Sequence, residues 1–272
     1  MIELNKIYNE DCLEGMKRIP DKSIDMILCD LPYGTTACKW DSVIPFEPLW
    51  EQYNRIIKDN GAIVLTASQP FTSLLVTSNI KNFKYEWIYQ KTAGSNFATV
   101  KYQPFKEHES VLVFGLNKTR YNPQMENRRG NETGKTRKAA RDVSTEGVSG
   151  DVYGGIKKDR DTRSYGELRY PSSVQLFNNR QPTDRGMHPT QKPVALFEYL
   201  IRTYTNEGET VLDNCMGSGT TAIACINTKR NYIGFELDKD YYKAAKERIE
   251  AVKNQVSMFT NKPITEGKKE WR

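Results

Sequence analysis

The sequence predicts an α/β protein with a doubly wound, mostly parallel sheet that is interrupted by one basic insert. Short apolar runs ending in an acid or a turn alternate with segments of helical spacing, the rhythm of strand–helix–strand units. That rhythm stops after residue 115 and returns at 187. The net charge is confined to the gap: of 40 Lys/Arg and 34 Asp/Glu, 15 and 9 fall within residues 116–186, leaving 25 of each elsewhere. A neutral scaffold with a basic insert suggests a polyanionic partner held by that insert.

The elements follow in order. Ser23–Asp30 (SIDMILCD) is a short apolar run closed by an acid, as in a buried strand. Phe46, Leu49, Trp50, Tyr53, Ile56 and Ile57 recur at helical spacing, and Asn60-Gly61 is expected to end that helix. Gly61–Ser68 reads as a second buried strand, and helical spacing resumes at Phe71, Leu74 and Leu75. The aromatic and β-branched stretches Phe83–Thr92 and Glu109–Gly115 are strand candidates. Residues 117–186 are rich in Gly, Asn, Arg, Thr and Ser and poor in apolar runs. A structureless loop of that length is unusual in a compact domain, so the segment reads as an inserted recognition region. Beyond it, Pro193 opens a helix carrying Leu196, Phe197, Leu200, Ile201 and Tyr204. Glu209–Asp213 is a strand, Gly217–Thr228 a helix, Asn231–Leu237 a strand and Lys239–Lys253 a helix. The expected organisation is 1–115 and 187–256 as two halves of one domain, 116–186 as the insert and 257–272 as a fraying polar tail.

Composition narrows the function classes. Hydrophobic residues make up 38% and there are four Trp and fifteen Tyr, which fits a globular chain and not a disordered one. No stretch approaches the roughly 20 apolar residues of a membrane-spanning helix, so no membrane partner is expected. The first eight residues lack the apolar core of a signal peptide, which points to the cytoplasm. Five scattered cysteines without a C-x-x-C pair, beside only two histidines, argue against a zinc site and for reduced thiols.

Two motifs carry chemistry. Strand 209–213 runs into the glycine turn Asp213-Asn214-Cys215-Met216-Gly217-Ser218-Gly219-Thr220-Thr221, at the strand end where open α/β sheets bind ligands. A phosphate loop needs Lys after its second glycine; here Thr220 follows Gly219, which disfavours a nucleotide hydrolase. Glu236 ends the next strand, where an acid is placed to bind ribose hydroxyls. Turn and acid together indicate an adenosine-type ligand without a phosphate clamp, and S-adenosylmethionine fits. The second motif, Asp30-Leu31-Pro32-Tyr33, follows the first buried strand. The exocyclic amino group of a base is a poor nucleophile, because its lone pair is delocalised into the ring. Two acceptors aimed at its hydrogens, the Asp30 carboxylate and the Leu31 carbonyl, would localise that pair toward an electrophilic methyl group. Tyr33 can stack on a base flipped out of a duplex.

These residues resemble a family. DLPY is similar to the D-P-P-Y catalytic motif of amino-methyltransferases, and DNCMGSGTT to their D-P-F-x-G-S-G-T-T cofactor motif. His188-Pro189-Thr190-Gln191-Lys192-Pro193 resembles their H-P-T-Q-K-P segment, and Asn9-Glu10-Asp11-Cys12-Leu13 their G-D-C-L-E element. The order matches the beta-class, circularly permuted DNA methyltransferases of bacteria and phages, over nearly the whole chain outside the insert. The resemblance implies a seven-stranded, Rossmann-like methyltransferase sheet and catalysis by Asp30, Leu31, Pro32 and Tyr33. It also implies an S-adenosylmethionine site of Asp11 at the adenine, Glu236 at the ribose, Thr190 and Lys192 at the methionine carboxylate, and Cys12, Asp213, Cys215, Gly217, Gly219 and Thr220 around the pocket. Asp at position 30 resembles the N6-adenine members. Two departures are Leu31 for the first Pro, where only a carbonyl is needed, and Asn214-Cys215 for Pro-Phe, which removes an aromatic ring beside the cofactor.

Double-stranded DNA is the implied partner. Residues 87–91 with Lys91, and Arg128, Arg129, Lys135, Arg137, Lys138, Lys157, Lys158 and Arg160, are the candidates for contacting it. His108-Glu109, ahead of a buried strand, reads as structural. An N4-cytosine or RNA amino-methyltransferase, and a non-catalytic nucleic-acid-binding protein on the same fold, are the competing readings. A homodimer and a cognate restriction enzyme are left open, and the target sequence is not legible.

Overall fold

A computed structural model describes residues 2–34, 41–127, 168–179 and 191–260, with side chains to 255. The chain divides into a large unit, residues 1–122 with 172–272, and a small one, residues 123–171.

In chain order the elements are β1 (Lys6–Tyr8), α1 (Cys12–Met16), β2 (Ile24–Asp30), α2 (Phe46–Ile56), β3 (Ile57–Ala67), α3 (Phe71–Ser78), β4 (Phe83–Lys91) and β5 (His108–Phe114). They continue with β6 (Glu126–Asn127), β7 (Leu168–Arg169), β8 (Val174–Phe177), α4 (Val194–Tyr204), β9 (Thr210–Asp213), α5 (Thr220–Thr228), β10 (Asn231–Phe235) and α6 (Lys239–Thr260). The large unit holds an eight-stranded sheet in the order β1-β10-β9-β2-β3-β5-β4-β8. Only β5 runs against its neighbours; the other pairings are parallel. The sheet is thus the doubly wound, mostly parallel one expected, with eight strands rather than seven.

Alternation along the strands splits the core into two layers. Ile27 and Cys29 of β2 with Ile63 and Leu65 of β3 pack beneath α1, α2 and α3, against Met16, Tyr53 and Phe71. Met26 and Leu28 with Val64 pack on the opposite face against Leu200 and Tyr204 of α4, Ala222 of α5 and Ile249 of α6. Successive strand residues point to opposite faces, so a run that is apolar throughout signals a strand covered on both sides.

Three expectations need correction. Asn60-Gly61 does not end α2, which stops at Ile56; both residues lie inside β3. The β2–β3 register shifts between Ile24 and Met26, and a Cβ on Gly61 would stand 2.9 Å from the Asp25 carbonyl oxygen, so glycine answers a close approach of backbones, not a cap. The insert is narrower than 116–186: residues 116–122 stay with the large unit, and β8 joins its sheet beside β4. The stretch 87–91, expected at the DNA, is not an open surface strand, although Gln90 is exposed. It is an inner strand paired on both sides, with Trp87 and Tyr89 buried. Two short elements, β1 and α1, carried too little periodicity to be read.

The small unit shows a two-stranded antiparallel ladder, β6 with β7, in which Arg169 Nη2 lies 3.1 Å from Glu126 Oε2. The basic candidates Arg128, Arg129, Lys135, Arg137, Lys138, Lys157, Lys158 and Arg160 lie outside the described residues, as do Thr190, His188 and the tail beyond 260. No helix among the described residues is long and apolar enough to cross a membrane.

Candidate active site

The topology gathers charged groups at one edge. The carboxyl ends of β10, β9, β2 and β3 lie side by side, and because β5 is reversed its first residues meet that edge together with the end of β4. Asp30 closes β2 at the middle of this edge, and its side chain is 27% exposed, enough for a ligand to reach it. Its Oδ1 accepts hydrogen bonds from the Tyr33 hydroxyl (2.8 Å) and from the Thr66 hydroxyl. Its Oδ2 accepts from the Lys192 ammonium at 2.7 Å.

Lys192 pairs with two protein carboxylates, Asp30 and Glu109. It is buried, also lies 3.2 Å from Glu109 Oε2, and sits 5.6 Å from the Tyr33 ring centre. A buried ammonium needs such partners, since desolvation of an unpaired charge costs several kcal/mol. Burial alone would lower the Lys192 pKa, but the adjacent Asp30 and Glu109 carboxylates hold it well above the usual lysine range. Glu109 is half-buried; Lys192 and Lys91 outweigh its desolvation and hold its pKa below the usual carboxylate range. Lys91, expected to face DNA, is paired with Glu109, its side chain only 9% exposed. Glu109, read as structural, therefore belongs to the site. Its signal was an acid on an apolar strand, which a buried strand tolerates only when paired.

Tyr33 stacks one ring face on Phe71 (centroids 5.1 Å apart, planes at 25°), and burial beside Asp30 pushes its hydroxyl pKa well up. Leu31 is buried, while Pro32 and Tyr33 are half-buried.

The glycine turn lies one strand away. Gly217 and Gly219 take positive φ (52° and 84°), and a Cβ on Gly219 would press on Ala245 and Ile249 of α6 at 3.3 Å. Asp213 does not face the opening; it is buried and braces the turn, accepting from the Cys215 N–H (3.0 Å) and the Thr221 hydroxyl. Burial pushes its pKa up to about 6. Thr220 is buried and accepts from Arg248 of α6 at 3.3 Å. Glu236 follows β10, accepting from the Gly217 N–H (2.7 Å) and the Asp238 N–H (2.9 Å), and burial raises its pKa. Asn9 donates to the Glu236 and Leu237 carbonyls (2.8 and 3.0 Å), fastening the end of β1 to that of β10. Asp11 caps α1, accepting from the Leu13 N–H at 2.8 Å. Cys12 points inward: the Asn214 amide lies 3.6 Å from its sulfur and 3.5 Å from that of Cys215, and a hydrogen bond with the free thiol of Cys215, reinforced by burial, drives the Cys12 thiol pKa far up.

A glycine turn with an acid one strand on, beside an acidic edge, makes this a doubly wound α/β protein of the methyltransferase type. The chain belongs to the DNA methylase family N6_N4_Mtase, whose model matches residues 24–247. It is similar to the Type II methyltransferase M.HpaI of Haemophilus parainfluenzae, at 25% identity over 90% of this chain and 74% of that protein. It is also similar to the Type II methyltransferase M1.MboII of Moraxella bovis, at 27% identity over 90% and 96%. Among solved structures it shares its fold with the M1.HpyAVI–SAM complex (TM-score 0.61, 24% identity, 92% of this chain and 99% of that one). The PvuII DNA methyltransferase, cytosine-N4-specific, is alike to the same degree in fold (TM-score 0.61, 14% identity, 94% and 95%).

The residues fit an adenosyl cofactor. Glu236 has about four lone-pair positions and faces the backbone N–H groups of Gly217, Asp238 and Leu237, leaving an acceptor for a ribose hydroxyl. The turn offers close backbone approach and no phosphate-binding lysine.

Proposed function

We propose that this chain is a DNA methyltransferase that moves a methyl group from S-adenosylmethionine to N6 of an adenine flipped out of double-stranded DNA. Membership of the DNA methylase family and the SAM complex among its structural neighbours support the cofactor assignment. Glu236 would take the ribose, Asp11 the adenine edge, and the backbone of 215–220 would line the pocket. The cofactor, when bound, supplies an electrophilic methyl group.

The observation that carries the reading is the state of Asp30. Among the described residues its carboxylate receives three hydrogen bonds, two on Oδ1 and one on Oδ2. A carboxylate offers about four acceptor positions, so one on Oδ2 is left for an amino hydrogen. The Leu31 carbonyl would take the second hydrogen, and the amino lone pair would then point at the methyl group. Thr66, Tyr33 and Lys192 hold Asp30 in one orientation, so the acceptor is positioned before the base arrives. We assign Lys192 as counter-ion of Asp30 rather than as clamp of the methionine carboxylate. Tyr33 would offer a base only the ring face that Phe71 does not cover.

Adenine is favoured over cytosine by the acid at position 30, and the basic segment 128–160 is proposed to follow the DNA backbone. The test is nucleoside mass spectrometry on unmethylated DNA incubated with protein and S-adenosylmethionine. N6-methyladenine is expected; N4-methylcytosine would overturn the base assignment, and unmodified DNA the activity.

A further inference from the structure

The loop between β4 and β5, residues 92–107, leaves the sheet at the same edge as Asp30. It carries two almost fully exposed rings, Phe97 (78%) and Tyr102 (88%), flanked by exposed Val100 and Phe105. The loop is built to hold them out. The Asn96 side chain accepts from the Lys106 N–H (2.6 Å) and donates to the Pro104 carbonyl (3.0 Å). A short 3-10 turn, Phe97–Thr99, passes the Tyr102 N–H to the Thr99 carbonyl (2.9 Å). At the root, the Ala93 N–H donates to the Asn179 side chain (3.1 Å), which donates back to the Ala93 carbonyl (2.9 Å), and Lys106 reaches the Ser68 hydroxyl just past β3. A braced loop with several exposed apolar side chains marks a binding surface rather than scattered surface residues. Its charge is basic at the tip: Lys101 is exposed beside Tyr102, and the sole acid of 92–107 is Glu107 at the root.

We propose that this loop contacts DNA, with Phe97 and Tyr102 stacking on bases left without neighbours where the target base leaves the duplex. The inference rests on the reading of the site as a DNA methyltransferase. Every base presents a π-face, so aromatic rings serve any sequence, and Lys101 can take an adjacent phosphate. A second copy of the chain seated on these rings would stand over the edge through which the base must reach Asp30, which favours DNA as the occupant.

The test is fluorescence anisotropy with two labelled mixed-sequence duplexes, one fully paired and one with a single-base gap, comparing wild type, Phe97→Ala/Tyr102→Ala and Tyr102→Phe. Binding is read without methyl transfer, so failure of the enzymatic reading and failure of the loop assignment are told apart. Wild type is expected to prefer the gapped duplex. The double variant, at unchanged melting temperature, is expected to lose about tenfold in affinity for it. Tyr102→Phe keeps the ring and should bind as wild type does. Unchanged affinity in the double variant would overturn the proposal, as would equal loss in Tyr102→Phe. Conversion of a dimer to a monomer by the double variant, seen in sedimentation, with DNA affinity retained, would make the loop a protein interface instead.

Discussion

The Lys192 ammonium lies 2.7 Å from Asp30 Oδ2 and 3.2 Å from Glu109 Oε2, so one cation joins the carboxylate at the end of β2 to another on β5. The two carboxylates are 79 residues apart in sequence, and Lys192 enters from the segment that precedes α4. Each of these charges is tolerated near the interior because the others are there.

Lys192→Met separates the two roles open to this cation. As counter-ion of Asp30 it acts on the chemical step, so kcat should fall by about 100-fold with the KM for S-adenosylmethionine little changed. A rise in that KM at constant kcat would show that Lys192 serves the cofactor carboxylate.

Glu109→Gln removes one anion from between two lysines. Breaking a buried pair costs about 3 kcal/mol or more, so the variant should melt well below wild type at neutral pH. The Glu109 pKa is lowered by folding, so its contribution is present above the unfolded value of about 4.3 and is lost as pH falls through the lower folded value. Thermal melts should therefore show the gap between variant and wild type closing below about pH 4. A gap constant with pH would contradict the pairing.

Asp213 behaves in the opposite sense. Burial raises its pKa from 3.8 to about 6, so the native state binds the extra proton and wild type loses stability as pH rises from about 4 to 6. A shift of this size corresponds to about 3 kcal/mol at most. Asp213→Asn can still accept from the Cys215 N–H and meet the Thr221 hydroxyl. Its melting temperature relative to wild type should climb across that window and then level off, and a flat difference would show that Asp213 is not strained by its burial.

DNA affinity should fall steeply with salt, since each phosphate neutralised contributes a slope of about −0.9 in the log–log plot. Replacing Arg128, Arg129, Lys135, Arg137, Lys138, Lys157, Lys158 and Arg160 by Ala should flatten that slope. An unchanged slope would remove the insert from the DNA surface.

Strand and helix rhythm was legible because residues 26–29 of β2, 62–65 of β3 and 211–212 of β9 are apolar and buried on both faces, and because α2 and α4 bury one stripe each. Asp30 and Glu236 were legible as acids at strand ends. The partners of Asp30 were not. Thr66 and Glu109 lie on other strands, and their meeting with Lys192 depends on strand order and on the reversal of β5, neither of which local spacing encodes. Lys91 misled for the same reason: a lysine ahead of a basic block reads as solvent-facing until the strand beside it supplies a half-buried acid. Cys12 and Thr220 sit inside the two motifs assigned to the cofactor, yet their side chains turn to the core and to α6, a choice made by packing rather than by motif.

The most direct test of the account is Asp30→Ala, followed in parallel by transfer of labelled methyl groups to DNA and by calorimetric binding of S-adenosylmethionine. Transfer should fall on the order of 1000-fold, because the acceptor for the amino hydrogen is gone, while cofactor affinity stays within about twofold, because Glu236 and the glycine turn are untouched. Loss of both together would contradict the separation of catalytic and cofactor residues, and retained transfer would remove Asp30 from the mechanism.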